Sequence, residues 1–370
     1  MIIRSLKVTN FRNYDKFNIN FGSNMNIFIG SNGSGKTNIL ESISLLGLTK
    51  SFRNVLDIDL IKFNKTTALI EGRINNNKQL KDLKITLRDK KKEVFVNDKK
   101  VKRYADYISN LNIIVFSPLD LEIIKGSPSI RRNLLNVSLS QISYQYLVTY
   151  NEYNKILKTR NEYLKILYTN SIADISYLDI LTDKLVEKAV EIYMLRYEYL
   201  KKINENISNI YEFITLIPTS VKIVYKPNVE IDFDDVQSIS DKLKSIYKKY
   251  YKKELQLGMT IYGPHRDDFL FYLDDKDMKL FSSQGQQKCA VLAYKLSSIA
   301  IFKEYSGTNP VLLLDDIFSE LDLEKRNRVL KYINKDIQSI ITTTDLKNIS
   351  KATLKDAVIF KVDNGKIERS

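Results

Sequence analysis

One octapeptide limits what this chain can become more than any other feature. Gly30-Ser31-Asn32-Gly33-Ser34-Gly35-Lys36-Thr37 fits G-x-x-x-x-G-K-S/T at every position. An apolar stretch at 25–29 precedes it. Ile39, Leu40, Ile43, Leu45 and Leu46 follow at helical spacing, so the loop is predicted to join a strand to a helix. Glycines let a backbone wrap closely around phosphates. The loop N–H groups and the helix N-terminus attract the anion. On that reading Lys36 reaches the β- and γ-phosphates of a nucleotide, and Thr37 holds Mg2+ by its hydroxyl. The fold class is then α/β.

A second segment supplies what a phosphate loop needs. Val311-Leu312-Leu313-Leu314-Asp315-Asp316 is an apolar strand ending in two carboxylates, a Walker B arrangement. Asp315 is the expected Mg2+ residue, with Thr37. Asp316 is expected to orient or deprotonate the attacking water. Some 26 residues earlier, Ser282-Ser283-Gln284-Gly285-Gln286-Gln287-Lys288 opens a helix, where a serine hydroxyl and backbone N–H groups can face an anion.

Texture divides the 370 residues. Alternating apolar residues predict strands in the first 20 positions and an antiparallel group at 66–103, with another short strand at 113–116. From Arg131 to about Lys253 the pattern turns helical, with long stretches such as 178–210 and 239–255 and breaks at Pro218 and Pro227. After Thr260 strands return at 269–273, 311–314, 337–342 and 358–362, with a helix at 286–302. We therefore expect a head at 1–130 and 256–370, split by an all-helical lobe at 131–255. The single Cys289 excludes an intrachain disulfide, and with the single His265 it cannot form a zinc cluster. No apolar run approaches the roughly 20 residues of a membrane span, and the start lacks a signal-peptide core. A cytoplasmic protein is expected.

The helix-opening segment resembles a known signature. Ser283-Gln284-Gly285-Gln286 is similar to the Ser-x-Gly-Gln core of ABC-type ATPases, and Ser319-Glu320-Leu321-Asp322 resembles their D-loop. In that fold the signature helix points away from its own P-loop. The resemblance therefore implies an ATP-dependent head-to-tail homodimer enclosing two ATP, each touched by Lys36 of one subunit and Ser283 of the other. Lys36, Asp315, Asp316, Ser283 and Gln286 would form the catalytic set. Gly30, Ser31, Asn32, Gly33, Ser34, Gly35, Lys36 and Thr37 would bind the nucleotide.

Among ABC-type ATPases the chain is similar to the bacterial RecF family. The opening Ser5-Leu6-Lys7-Val8-Thr9-Asn10-Phe11-Arg12-Asn13-Tyr14 carries this resemblance. So do Phe116-Ser117-Pro118-Leu119-Asp120-Leu121 with Gly126-Ser127-Pro128 and Arg131-Arg132, and Gly263-Pro264-His265-Arg266-Asp267-Asp268. It is weak across 133–255. It implies a DNA-binding protein of recombinational gap repair and replication restart, acting on double-stranded and gapped DNA. RecO and RecR would be partners in loading RecA, within the SOS response. It also implies weak, DNA-stimulated ATP hydrolysis that releases the dimer, with Arg12 near the nucleotide phosphates.

Departures from the wider pattern matter. Residues 116–120 occupy the place of a Q-loop glutamine, and Thr342-Thr343-Thr344-Asp345 stands where a switch histidine belongs. A threonine cannot transfer a proton as histidine does, so slow hydrolysis is expected. Other readings are a RecF-like ATPase of a defence system and a transporter ATPase subunit. An SMC-like structural ATPase would need longer coiled-coil arms.

Net charge is +14, and 44 of the 58 basic residues are lysine, as an A/T-rich genome would produce. Its distribution is uneven: +10 in 1–130, +3 in 131–255 and +1 in 256–370. Residues 78–103 alone hold +7. Composition bias would raise all three segments. The expected DNA-phosphate contacts are therefore Lys90, Lys91, Lys92, Lys99 and Lys100.

Overall fold

The structure is a computed structural model. It describes all residues except 54, 78, 90, 170–173, 318–320, 334–335 and 347–353. Two compact units emerge. The first holds Met1–Asp120, Asn209–Pro218 and Lys288–Ser370; the second holds Leu121–Ser208 and Thr219–Gln287.

In chain order the first unit opens with β1 (Ile2–Phe11), β2 (Tyr14–Asn20), β3 (Met25–Ile29) and α1 (Lys36–Leu48). It continues with β4 (Thr67–Asn76), β5 (Gln79–Arg88), β6 (Lys91–Val96), β7 (Lys99–Lys100) and β8 (Ile113–Phe116). The second unit then carries α2 (Glu122–Lys125), α3 (Pro128–Ile142), α4 (Tyr144–Thr169) and most of α5 (Ile175–Thr215). After α5 come β9 (Val221–Lys226), α6 (Val236–Leu257), β10 (Asp268–Leu273), β11 (Lys276–Asp277) and α7 (Met278–Phe281). The helix α8 (Gln284–Ser306) leads back to β12 (Val311–Asp315), α9 (Leu323–Tyr332), β13 (Ser339–Thr343), β14 (Val358–Asp363) and β15 (Lys366–Arg369).

Two sheets build the first unit. The antiparallel sheet has the order β2-β1-β4-β5-β6-β7, as the alternation at 66–103 predicts. The other has the order β15-β14-β3-β13-β12-β8; all its pairs are parallel except the β14–β15 hairpin. Every residue of β12 and β13 is buried, which is why β12 reads as a continuous apolar run up to Asp315 rather than an alternating one. One core joins both sheets through α1, gathering Leu6 and Val8, Ile43 and Leu46, Leu313 and Ile340. Each such side chain contributes about 1.5–3 kcal/mol on burial. This order also places the functional ends. β13 lies between β3, which feeds the P-loop, and β12, which ends in Asp315. Ligands of open parallel sheets bind at these carboxyl ends.

The second unit differs from the expected all-helical lobe. β9 lies between the two helix-breaking prolines and pairs antiparallel with β10, from Asp268 opposite Lys226 to Leu273 opposite Val221. That ladder draws residues 256–287, expected in the head, into the second unit. From Asn209 onward α5 belongs to the first unit, where Arg328 of α9 donates to the Ile214 carbonyl at 3.0 Å. Among the described residues no helix is long and apolar enough to cross a membrane.

Candidate functional site: a phosphate cleft

The cleft in the first unit is lined by Asn32, Gly33, Gly35, Lys36 and Thr37 from the loop after β3. Asn38, Arg53, Asp316 and Thr342 complete it. Glycine is required at two loop positions for different reasons. Gly35 has φ +109°, a left-handed conformation that side chains rarely adopt. At Gly30 a Cβ would lie 2.2 Å from the Val362 carbonyl oxygen of β14, so the backbone approach itself excludes one.

The residues predicted from separate segments meet at short range. Thr37 Oγ1 donates to Asp315 Oδ1 at 2.8 Å. Thr342 Oγ1 donates to the same oxygen at 2.9 Å, and accepts from the Asp316 backbone N–H at 2.9 Å. Lys36 Nζ donates to the Gly30 and Ser31 carbonyls at 2.7 and 2.8 Å. Burial pulls the Lys36 ammonium below its usual range, while the Asp316 and Asp315 carboxylates pull it back up. Burial lifts Asp315 above the ordinary carboxylate range, against the hydrogen bonds from Thr37 and Thr342. A hydroxyl and a carboxylate converging here are oxygen ligands suited to Mg2+. Thr342 thus occupies the switch position, holding the Asp315 carboxylate and the Asp316 backbone without a titratable group. At the Q-loop position, Asp120 accepts from the Ser117 N–H at 2.9 Å and pairs with the buried Lys295 of α8 at 2.6 Å.

Arg12 departs from expectation. Its guanidinium is spent on the buried Glu41 of α1, with two hydrogen bonds of 2.8 Å, and on the Asp59 carbonyl at 3.0 Å. The arginine lining the cleft is Arg53, which sequence reasoning missed. It lies in an irregular connection, where no periodicity or motif marks it.

The lysine-rich strands are also more occupied than charge counting suggests. Lys92 Nζ donates to Asp57 and to the Thr49 carbonyl, both at 2.7 Å, and its side chain is 14% exposed. Internal partners, not solvent, hold it. Lys91 and Lys100 both reach Glu93 and remain exposed, as does Lys99. Lys90 lies outside the described residues, as do Ser319 and Glu320 of the D-loop segment. Its Asp322 caps α9, accepting from the Lys325 N–H at 2.9 Å.

In the second unit Ser283 and Gln286 form a reciprocal capping box at the start of α8. Ser283 N–H donates to Gln286 Oε1 at 2.9 Å, and Gln286 N–H donates to Ser283 Oγ at 3.3 Å. Gly285 beside them is exposed. A Cβ there would meet nothing closer than Ser283 Oγ at 4.0 Å, so its own unit gives no reason for glycine. Leu280 and Phe281, just ahead, are 72% and 69% exposed.

His265 has a structural place in this unit. Its Nε2 faces the Thr260 carbonyl at 3.1 Å, which can only accept, so Nε2 carries the proton. Nδ1 then accepts from the Tyr153 hydroxyl at 2.6 Å. Burial pushes the imidazole down to about 4, helped by Arg266, Arg132 and Arg196. Since the folded value lies below the unfolded one, this stabilisation is complete above pH 6.5 and is lost as pH falls toward 4. His265→Gln is expected to flatten the acid limb of stability over that window, by roughly 3 kcal/mol at most. Urea unfolding of both proteins at pH 7 and pH 4.5 checks it. An unchanged difference between the two pH values would reject the assignment.

Comparison with known proteins follows the same lines. Residues 2–368 match the family described as RecF/RecN/SMC N terminal domain. A protein of Halalkalibacterium halodurans called DNA replication and repair protein RecF is 38% identical over 370 residues, covering all of both chains. One of Listeria welshimeri, described in the same words, is 37% identical over 370 residues, again covering both chains. Among solved structures, one described as the recombination mediator protein RecF-ATP in the RecFOR pathway aligns with a TM-score of 0.92 at 31% identity. It covers 100% of this chain and 97% of that one. An Smc head bound to the winged-helix domain of ScpA, 16% identical with a TM-score of 0.55, shares the fold. Full-length identity, the matched domain and the ABC-type head agree: the chain belongs to the bacterial RecF family.

Proposed function

We propose that this chain is an ATP-dependent DNA-binding protein of recombinational gap repair and replication restart. It closes head-to-tail around two ATP and hydrolyses them slowly. The observation that carries the reading is the convergence of Thr37, Asp315 and Thr342 within 2.9 Å at the mouth of the P-loop. Lys36 neutralises phosphate charge. Thr37 and Asp315 hold Mg2+, which shields the phosphate oxygens. Asp316 orients the attacking water and accepts its proton. Thr342 fixes the Asp315 carboxylate and the Asp316 backbone but donates no proton to the phosphate, so turnover is slow. Supporting the dimer are Gly285, whose missing side chain leaves room for a second body, and the exposed Leu280 and Phe281 beside it. RecO and RecR are the proposed partners in RecA loading during the SOS response, in the cytoplasm. DNA stimulates hydrolysis, and hydrolysis releases the dimer. Lys91, Lys99 and Lys100 are the phosphate contacts that the described surface favours, on double-stranded or gapped DNA.

Sedimentation with and without Mg-ATP tests the assembly. ATP is expected to shift the protein from monomer to dimer. Lys36→Met and Ser283→Arg should each weaken that dimer by about tenfold or more, equivalent to at least 1.4 kcal/mol. A dimer indifferent to both would reject the sandwich. In the dimer, DNA affinity should fall steeply with salt, since lysine–phosphate contacts release counterions.

A further inference from the structure

Arg131-Arg132 and the segment 263–268 carry the family resemblance, yet both lie in the second unit and neither lines the phosphate cleft. Their charges do not cancel. Arg131 makes a bidentate pair with Asp268, at 2.6 and 2.9 Å. Arg196 takes Asp267. Arg132 and Arg266 are left over: among the described residues no carboxylate pairs with either. Arg132 is half-buried and donates to the Asp267 carbonyl, next in the chain to Arg266, at 2.7 Å. Arg266 is exposed, and its guanidinium reaches the weak acceptor Met259 Sδ at 3.6 Å. Burial pulls Arg132 below the usual guanidinium range, and Arg196 and Arg266 pull it further, against Asp268 and Asp267. Like charges set this close cost stability in the free protein, and a bound anion removes that cost.

The surroundings extend the same sign. Met259 follows α6, and the chain from there to Arg266 folds back on that helix. Tyr247 of α6 donates to the Tyr262 carbonyl at 3.0 Å, and the Tyr250 and Tyr262 rings stand 4.9 Å apart. Lys248, Lys249, Lys252 and Lys253 are exposed on α6, in two pairs one helical turn apart. Lys249 Nζ lies 5.4 Å from the centre of the Tyr250 ring. Between Lys248 and Arg266 the one acid in the sequence is Glu254, which is fully buried against Arg160. We propose that Arg132 and Arg266, continued by the lysines of α6, form a second phosphate-binding site for duplex DNA, complete within one chain and formed without nucleotide. This rests on the DNA reading given above. A row of cations with no exposed acid between them matches the repeating phosphates of a nucleic-acid backbone, whereas a protein face presents mixed signs. Each guanidinium fork takes two phosphate oxygens, which a lysine cannot do. The contacts go to the backbone, so the site carries no base specificity.

The test is equilibrium binding of a labelled blunt duplex to the full chain over a series of salt concentrations, with and without Mg2+ and a non-hydrolysable ATP analogue. In the nucleotide-free protein, Arg266→Ala and Arg132→Gln are each expected to weaken the duplex about threefold to tenfold and to lower the salt slope by about one. Glutamine keeps an amide donor for the Asp267 carbonyl while removing the charge. Arg266→Ala should keep or slightly raise the melting midpoint, since it removes a like charge from beside Arg132; a residue retained for folding would lower it. Two duplexes of unrelated sequence should lose affinity equally. Folded variants that bind duplex as tightly as the parent, with the same slope, overturn this site alone and leave the arginines to an acidic protein partner. A loss seen only with the analogue bound overturns the site's independence of nucleotide. A parent that binds no duplex in either state, even at low salt, removes the DNA reading itself and the proposal with it.

Discussion

Replacing Asp316 by Asn is expected to lower ATP turnover by about 10²–10³-fold while leaving ATP affinity within about threefold. The substitution suits the backbone. Asp316 has φ +48°, a left-handed conformation in which Asn is also at ease. Its N–H bond to Thr342 Oγ1 is a main-chain contact and survives. What disappears is one negative charge and one proton acceptor at the cleft. Loss of the charge removes the carboxylate that most strongly raises Lys36 and a neighbour that raises Asp315, so Asp315 becomes more acidic in the variant. Mg2+ binding through Thr37 and Asp315 should therefore persist. With binding kept and the acceptor gone, the ATP-bound dimer should also live longer. Single-turnover hydrolysis, nucleotide binding and dimer lifetime measured on the same preparation separate these effects. Turnover within a factor of three of the parent would remove Asp316 from the mechanism.

Much of this site was legible because its parts are local. The octapeptide carries its own strand and helix, and an apolar run ending in two acids declares a buried strand with a polar tip. Spacing alone could not bring Thr37 to Asp315, since that depends on β13 lying between β3 and β12; resemblance to ABC-type ATPases supplied it. Which arginine lines the cleft was not legible, for a physical reason. Arg12 and Arg53 are equivalent as residue types, and the buried Glu41 that claims one of them lies on a helix whose apolar neighbours hide its role. Charge counting failed at Lys92 similarly, because a net charge does not say which lysine folds inward to a carbonyl. The lobe boundary was hidden by a ladder joining β9 to β10 across some 40 residues, which no window of periodicity spans. Helical texture ended where expected, but the strand between Pro218 and Pro227 is only six residues long.

The largest stability effect is expected from Arg196→Met. Arg196 on α5 and Asp267 before β10 are each 1% exposed and pair at 3.1 Å. Arg196 also donates to the Pro264 carbonyl at 2.6 Å, to Asn136 Oδ1 of α3 at 2.9 Å and to the Tyr146 hydroxyl of α4 at 3.2 Å. Asp267 accepts from the Asn228 N–H at 2.9 Å and from the Tyr225 hydroxyl of β9 at 2.5 Å. One ion pair thus ties three helices to the strand ladder that makes this unit cohere. Methionine replaces the volume but leaves Asp267 charged and buried, at a cost of about 3–5 kcal/mol. Unfolding of the second unit should shift down by roughly 10 °C. The pH dependence identifies the cause. Burial already raises the Asp267 carboxyl, and Arg196 is the leading influence lowering it. Without Arg196 the folded value climbs further, and a raised folded value means stability present at low pH and lost as pH rises through it. The penalty of Arg196→Met should therefore be smaller at pH 5 than at pH 7.5. Adding Asp267→Asn should recover part of the loss at pH 7.5, because the uncompensated charge goes with it. A penalty independent of pH, or a double variant as unstable as the two single losses combined, would mean that Arg196 acts through packing alone.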